Sequence, residues 1–413
     1  MISKRLFLQA GMATAALPLS HGLVAGESTM QSRIAAIISE YASQGIHRTG
    51  TEVDNESAAW LMQRIEEIGV EATESSFVFQ RLQPVATHLV LPNITIPGVP
   101  LYDCQYTDEE GVTGSIGELG SAADIGVAMS LPHASTPNGK RIHAARQSSA
   151  HKAIVIVTDE RLPSNGIALL NAEDFTEPFG PPVLQAASKD WPAIQGAMQS
   201  GAQAQLVLHC EYAESKAINV EAKVAGRHPD LAPVVVMTPR SGWWFNASER
   251  GGGVACFLEI LRAVKAAEPQ RDVMFTANTG HELGHTGLDF FLHGNPRLIA
   301  DAHVWIHLGA NFAAKYGSEV RLQYSDEQAR VSLAPFLESN ILTAATVTPM
   351  SQRPLGEARN VYDGKGRYIS ILGANGLFHH PADRWPHAVD LELTTKWVAA
   401  FTQMAVAVSG GTS

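Results

Sequence analysis

The sequence predicts an α/β fold: a mostly parallel mixed sheet flanked by helices, interrupted by a strand-rich insertion. Three observations carry this. The apolar run 232–237, the strongly apolar helical stretch 254–267 and the run 273–277 follow one another as strand, helix and strand, and that spacing implies a parallel βαβ connection. Between residues 85 and 126 the helical period gives way to short alternating apolar runs broken by Pro and Gly, which read as strands and turns, and further short strands follow up to residue 209. A chain of 413 residues exceeds what one core usually holds, so it forms two domains or one large α/β domain with an insertion.

Taken in order, Lys4 and Arg5 precede an apolar stretch 6–19 and the small residues Val24, Ala25 and Gly26. This is the layout of an export signal over residues 1–26, with twin-arginine character except that Lys4 stands in place of the first arginine. An exported protein, periplasmic or secreted, is expected. The apolar run is shorter than the ~20 residues of a membrane span, and no later segment is long enough, so no integral membrane segment is expected once the signal is removed. Residues 31–69 carry helical spacing, with Ile34, Ile37, Ile38 and Tyr41 on one face and Trp60, Leu61, Ile65 and Ile68 on another. Strands follow between 85 and 126, at 153–157, 182–184 and 205–209, with a helix at 191–201. Residues 219–225 alternate. After the βαβ unit come a helix at 288–298, strands at 303–308 and 367–372, and a closing helix at 391–408.

Composition narrows the function. Hydrophobic residues are 45% of the chain and charged residues 17%, ordinary for a globular enzyme and wrong for a disordered chain. The net charge of −11, with no basic stripe, argues against nucleic-acid binding. Cys104, Cys210 and Cys256 are far apart, so neither a disulfide framework nor a thiolate metal site is signalled, although one bridge stays open. Eight of the 16 histidines fall between His281 and His387.

Open α/β sheets bind ligands beyond the carboxyl ends of their strands. The loops there hold Thr238, Arg240, Ser241, Asn246, Ser248 and Glu249, then Gly280, His281 and Glu282, then His307, and finally His379, His380 and Asp383. Trp243, Trp244 and Phe245 either stack on a substrate or join the core. His281-Glu282-Leu283-Gly284-His285 matches the H-E-x-x-H zinc pattern, but it follows a strand through Asn278, Thr279 and Gly280 rather than lying inside a helix. Ser241 with His281 would make a nucleophile and base pair.

The order of these segments resembles the metallo-aminopeptidase family M28, whose two-zinc domain often carries an inserted protease-associated domain. The resemblance rests on RTGT at 48–51, GGGVACFLEILRAV at 251–264, FTANTGHELGHTG at 275–287 and FHHPADRW at 378–385. It implies a catalytic domain over 27–95 and 216–413 and a protease-associated insertion over 96–215. It also implies amide hydrolysis of a small-molecule or peptide substrate, and zinc.

The departures from the family pattern shape the expected site. Thr238-Pro239-Arg240 stands where the family has His-x-Asp, so one ligand is missing. Glu249 corresponds to the bridging aspartate, within one or two positions, His281 to the general base, Glu282 to a ligand glutamate, His307 to a ligand aspartate and His379 to the last ligand. The resemblance thus leaves one zinc per chain, held by Glu249, His307 and His379. A second dication would meet Arg240, with a repulsion of roughly 7 kcal/mol at ~5 Å and an effective dielectric of ~20. Arg240 is instead expected to hold a negative substrate group, with His281 as base and Glu282 adjacent. Ser241, Trp243, Trp244 and His380 are expected around the substrate, and Asp383 and His387 behind His379. Two other readings stay open: a peptidase homologue that only binds a peptide or partner, and a metal-free enzyme using Arg240, His281 and Glu249.

Overall fold

The computed structural model describes residues 29–411; the expected signal over residues 1–26 lies outside them. Four parallel strands form the heart of the sheet, in the order Val273–Asn278, Val234–Pro239, Val304–Leu308 and Tyr368–Gly373. Val234, Val235 and Val236 are fully buried, as strands covered on both faces require. The register sets Asn278 beside Pro239, and His307 between Met237 and Ser370, so the carboxyl ends finish together and their loops converge.

One face is covered by helices Met30–Ser43, Gly251–Ala266 and Leu391–Val408. The glycine run that opens the middle helix serves this packing. A Cβ on Gly253 would come within 2.6 Å of Thr238 Oγ1, so glycine lets the helix start close against the strand end. On the other face Leu288, Phe291, Trp305, Val361 and Tyr368 form a smaller core.

Two long strands, Ala72–Leu91 and Gln203–Val224, pair antiparallel along most of their length. At one end the second pairs with Val273–Asn278, and at the other with Val112–Glu118. The sheet therefore runs on into parallel strands Ile125–Ser130, Ala153–Thr158 and Val183–Ala186, which have their own core around Ile116, Val127, Ile154 and Leu206. The runs 205–209 and 219–225, read separately from the sequence, belong to one strand. Its half-exposed middle lacks the apolar signal but is held by cross-strand pairing.

The stretch 309–366, without a clear periodic signal, holds strand Val320–Tyr324 and helices Glu327–Ser339 and Ala358–Asp363. All three cysteines are free, which removes the possible bridge. Among the described residues no helix is long and apolar enough to cross a membrane.

Candidate functional site

A cavity of about 690 Å³ opens at the carboxyl ends of the central strands. His281, His285, His307, His379, Arg353 and Arg359 line it from the main sheet; His133, Asn171 and Glu173 line it from the segment between the two long strands.

The loop after Val273–Asn278 presents His281 to this cavity by turning Glu282 the other way. Gly280 takes φ +81°, where a Cβ would collide with Thr286 Oγ1, and residues His281–Leu283 form a 3-10 turn. Glu282 lies beneath: Oε1 accepts from Thr49 N at 2.9 Å and Thr49 Oγ1 at 2.6 Å, and Oε2 from Ser241 Oγ at 2.6 Å. His281 Nδ1 is 3.3 Å from Glu357 Oε1, and its ring stacks on His285 at 4.8 Å. Burial, then the charges of Arg250, His285 and Arg359, hold His281 well below the usual imidazole range, so it is neutral at pH 7. Burial pushes Glu357 up to about 8. His285 Nδ1 sits 2.7 Å from Asn360 Oδ1, and Asn360 Nδ2 donates to Asp289. That fixes the amide and makes His285 the donor through Nδ1.

The loop after Val234–Pro239 ends in Glu249, and Asp383 shapes it by accepting from Ser248 N at 2.8 Å and Glu249 N at 3.0 Å. Burial raises Asp383 to about 7. Glu249 Oε1 faces two groups, Arg250 Nη2 at 3.0 Å and His379 Nε2 at 3.4 Å. Burial alone would raise this carboxyl, but His379 and Arg250 outweigh it and bring it to about 2. His379 Nδ1 lies 2.6 Å from the Leu169 carbonyl, so Nδ1 is the donor. His307 Nδ1 lies 2.8 Å from Ser370 Oγ; burial, then Arg250, lowers this ring to about 3.

No protein-family model matches the chain, and no curated protein sequence matches it. Solved structures do match. BSAP, a zinc aminopeptidase from Bacillus subtilis, superposes with a TM-score of 0.75 at 16% identity, over 91% of this chain and 94% of that one. The chain has the zinc-aminopeptidase fold. The peptidase M28 precursor from Shewanella amazonensis SB2B gives a TM-score of 0.71 at 15% identity, over 93% and 96% of the two chains. The aminopeptidase from Aneurinibacillus sp. strain AM-1 gives 0.66 at 14%, over 93% and 94%.

On this zinc-aminopeptidase fold the side chains at the expected metal position do not suit a zinc ion. Among the described residues no three His, Cys, Asp or Glu side chains are grouped so as to hold one. Glu249 and His379 are neighbours, but the other group on Glu249 Oε1 is the Arg250 guanidinium. A fixed positive charge there opposes a dication. The expected set of Glu249, His307 and His379 is thus corrected to a Glu249–His379 contact closed by Arg250, with His307 tied to the sheet.

Other expected residues also take different places. Arg240 does not line the cavity; it is fully buried, 2.9 Å from Asp54 Oδ1, and donates to the carbonyls of Asp54 and Ile218. Its guanidinium is committed to structure, so it does not hold a substrate anion. Glu282 and Ser241 pin the turn beneath His281 and are not in the cavity wall. Ser241 also accepts from Gly280 N and has no contact with the His281 ring, so the nucleophile reading has no geometry behind it. Trp243 Nε1 donates to Asn171 Oδ1, Trp244 Nε1 to the Ile167 carbonyl, and His380 Nε2 lies 3.0 Å from the Pro163 carbonyl. These three tie the segment between the two long strands to the main sheet, and none of them lines the cavity. His387 is exposed and does not support His379. His281 and His285 stack across a turn rather than along one helix, which removes the literal zinc-helix reading.

The sequence reading missed Arg250, Glu357 and Arg359. Arg250 stood beside a singled-out residue. Glu357 and Arg359 come from the stretch without a periodic signal. The Arg359 guanidinium lines the cavity without a hydrogen bond or ion pair to a described residue.

Proposed function

We propose that the chain is an exported hydrolase that cleaves an amide bond in a small peptide-like substrate carrying a free carboxylate. The observation that carries this is the contact of His281 with Glu357 at the cavity wall. With Nδ1–H donated to Glu357 Oε1, the ring turns the lone pair of Nε2 to the cavity, where it takes a proton from a water that attacks the amide carbon. The same ring returns that proton to the leaving amine. Glu357 orients the imidazole and, once ionised, favours its charged form. Arg359, which lines the cavity beside Glu357 and Asp289, is the anchor for the substrate carboxylate, the role expected of Arg240 from the sequence.

Hydrolysis of dipeptides and N-acyl amino acids, followed by release of free amine, tests this. His281→Gln should lower turnover by about 10²–10⁴-fold while leaving the fold intact; equal turnover in the variant would refute the assignment. A second reading, a binding protein without turnover, is favoured by the Arg250–Glu249 pair at the expected metal position. It predicts ligand binding unaffected by His281→Gln.

A further inference from the structure

Asn171 is held in place from two sides, by the loops of the main sheet and by the segment between the two long strands. Leu169 N donates to the His379 carbonyl at 3.3 Å and Ala172 N to the Glu282 carbonyl at 3.0 Å. The chain here therefore runs against both the loop of His379 and the turn that presents His281. From the other side, Leu170 N donates to Gln185 Oε1 at 2.8 Å, and Glu173 N and Asp174 N donate to Asp103 Oδ2 at 2.7 and 3.2 Å. Asp103 is itself paired with buried Arg146 at 2.9 Å. With its neighbours tied alternately to two bodies, the backbone at Asn171 has little freedom.

The side chain is oriented as firmly. Trp243 Nε1–H can only donate, and it lies 2.8 Å from one branch of the Asn171 amide. That branch is therefore Oδ1, and the other, Nδ2, carries two protons. Nδ2 makes no hydrogen bond to a described residue, yet it is open to solvent. Asn171 is half-buried, and among the described residues the buried polar atoms without a partner include Nε2 of His307 and of His379 but not this one. The open side is the 690 Å³ cavity, which Asn171 lines and Trp243 does not. Trp243 instead lines a neighbouring pocket of about 110 Å³, which Asn171 does not touch. The amide thus turns its oxygen away from the cavity and its N–H groups into it.

We propose that Asn171 is the hydrogen-bond donor, through Nδ2–H, to the carbonyl oxygen of the bound amide, and that Trp243 is the positioning residue that sets its amide. The donor comes from the segment between the two long strands and the base, His281, from the main sheet, so the site is complete only where the two meet. The catalytic part rests on the amide-hydrolysis reading above. As water gives a proton to His281 and adds to the carbon, the C=O π pair moves onto the oxygen, and Nδ2–H meets that negative charge. On collapse the C=O bond re-forms, the C–N bond breaks, and the amine leaves with the proton from His281.

The test pairs kinetics with spectroscopy on the full chain. Asn171→Asp keeps the size and the oxygen that accepts from Trp243 but loses the donor; it should lower kcat on dipeptides and N-acyl amino acids by about 10²–10³-fold, with KM changed far less, and Asn171→Leu should do the same. Trp243→Phe, which keeps an aromatic ring without the N–H, should lower kcat by a smaller factor at similar KM. In parallel, the side-chain ¹H–¹⁵N resonances of Asn171, assigned by their loss in Asn171→Asp, are followed while ¹⁵N-labelled His281→Gln chain, blocked in turnover, is titrated with the same compounds. The Nδ2 protons should move downfield on binding. Should they move while the wild type hydrolyses no amide, the hydrolase reading fails and the donor remains. Should the wild type turn over while Asn171→Asp matches its kcat, or while Nδ2 stays unmoved at saturation, this proposal alone fails. Neither turnover nor a shift overturns both.

Discussion

Nδ1 of His281 lies 3.3 Å from Oε1 of Glu357, a contact between residues 76 positions apart. It joins the loop after strand Val273–Asn278 to the residue just before helix Ala358–Asp363. Buried together, the two groups oppose each other's usual behaviour: burial holds the imidazole neutral and pushes the carboxyl up to about 8.

A pH profile follows from this pair. Ionised Glu357 stabilises the imidazolium that forms as His281 takes a proton, so turnover should rise as pH passes through about 8. Glu357→Gln should be slower and lack this limb. A profile of kcat against pH for both proteins checks it; an identical limb in the variant would assign it to another group.

Arg359 should act on binding more than on chemistry. Losing hydrogen bonds from a charged group costs about 1.5–3 kcal/mol, so Arg359→Ala should raise KM for carboxylate-bearing substrates roughly 10- to 150-fold with a smaller change in kcat. Substrates amidated at that carboxylate should show little difference between wild type and variant.

Glu249 makes stability depend on acid. Its carboxyl is brought from the ordinary value of 4.5 to about 2 in the folded chain. A depressed carboxyl adds stability above its unfolded pKa and loses it as pH falls through the folded one, so the loss runs from about 4.5 down to about 2. It amounts to about 3 kcal/mol. Urea unfolding across this range should show the gap between wild type and Glu249→Gln closing as pH falls; a constant gap would contradict the Arg250 and His379 interactions.

Arg240 and Asp54 form a fully buried ion pair away from the cavity. Removing one partner strands a charge, so Arg240→Ala should lower unfolding free energy by about 3–5 kcal/mol. Replacing both, as Asp54→Asn with Arg240→Met, should recover part of that. Denaturant midpoints measure it, and unchanged midpoints would show that the pair carries no structural weight.

The fold was legible where apolar period reports burial directly. The valine-rich strand before Glu249 and the helix after it read correctly because both faces of the strand and most of the helix are buried. The strand Gln203–Val224 was not read whole, because its middle is held by pairing with Ala72–Leu91 and pairing leaves no local signal. At the site, the sequence marked His281, His307 and His379 as strand-end groups, and all three line the cavity. It gave Arg240 a role that its burial against Asp54 denies. It also passed over Glu357 and Arg359, because no periodic pattern marks their approach to the sheet. Which partner a histidine nitrogen meets depends on residues tens of positions away, such as Ser370 beside His307, and only folding brings them together.

The most direct measurement is turnover of a panel of dipeptides and N-acyl amino acids by the chain and by its His281→Gln variant, each before and after exhaustive chelation. The account predicts turnover in the wild type that survives chelation and falls by about 10²-fold or more in the variant. Turnover that disappears on chelation and returns with zinc, or equal turnover in both proteins, would contradict it.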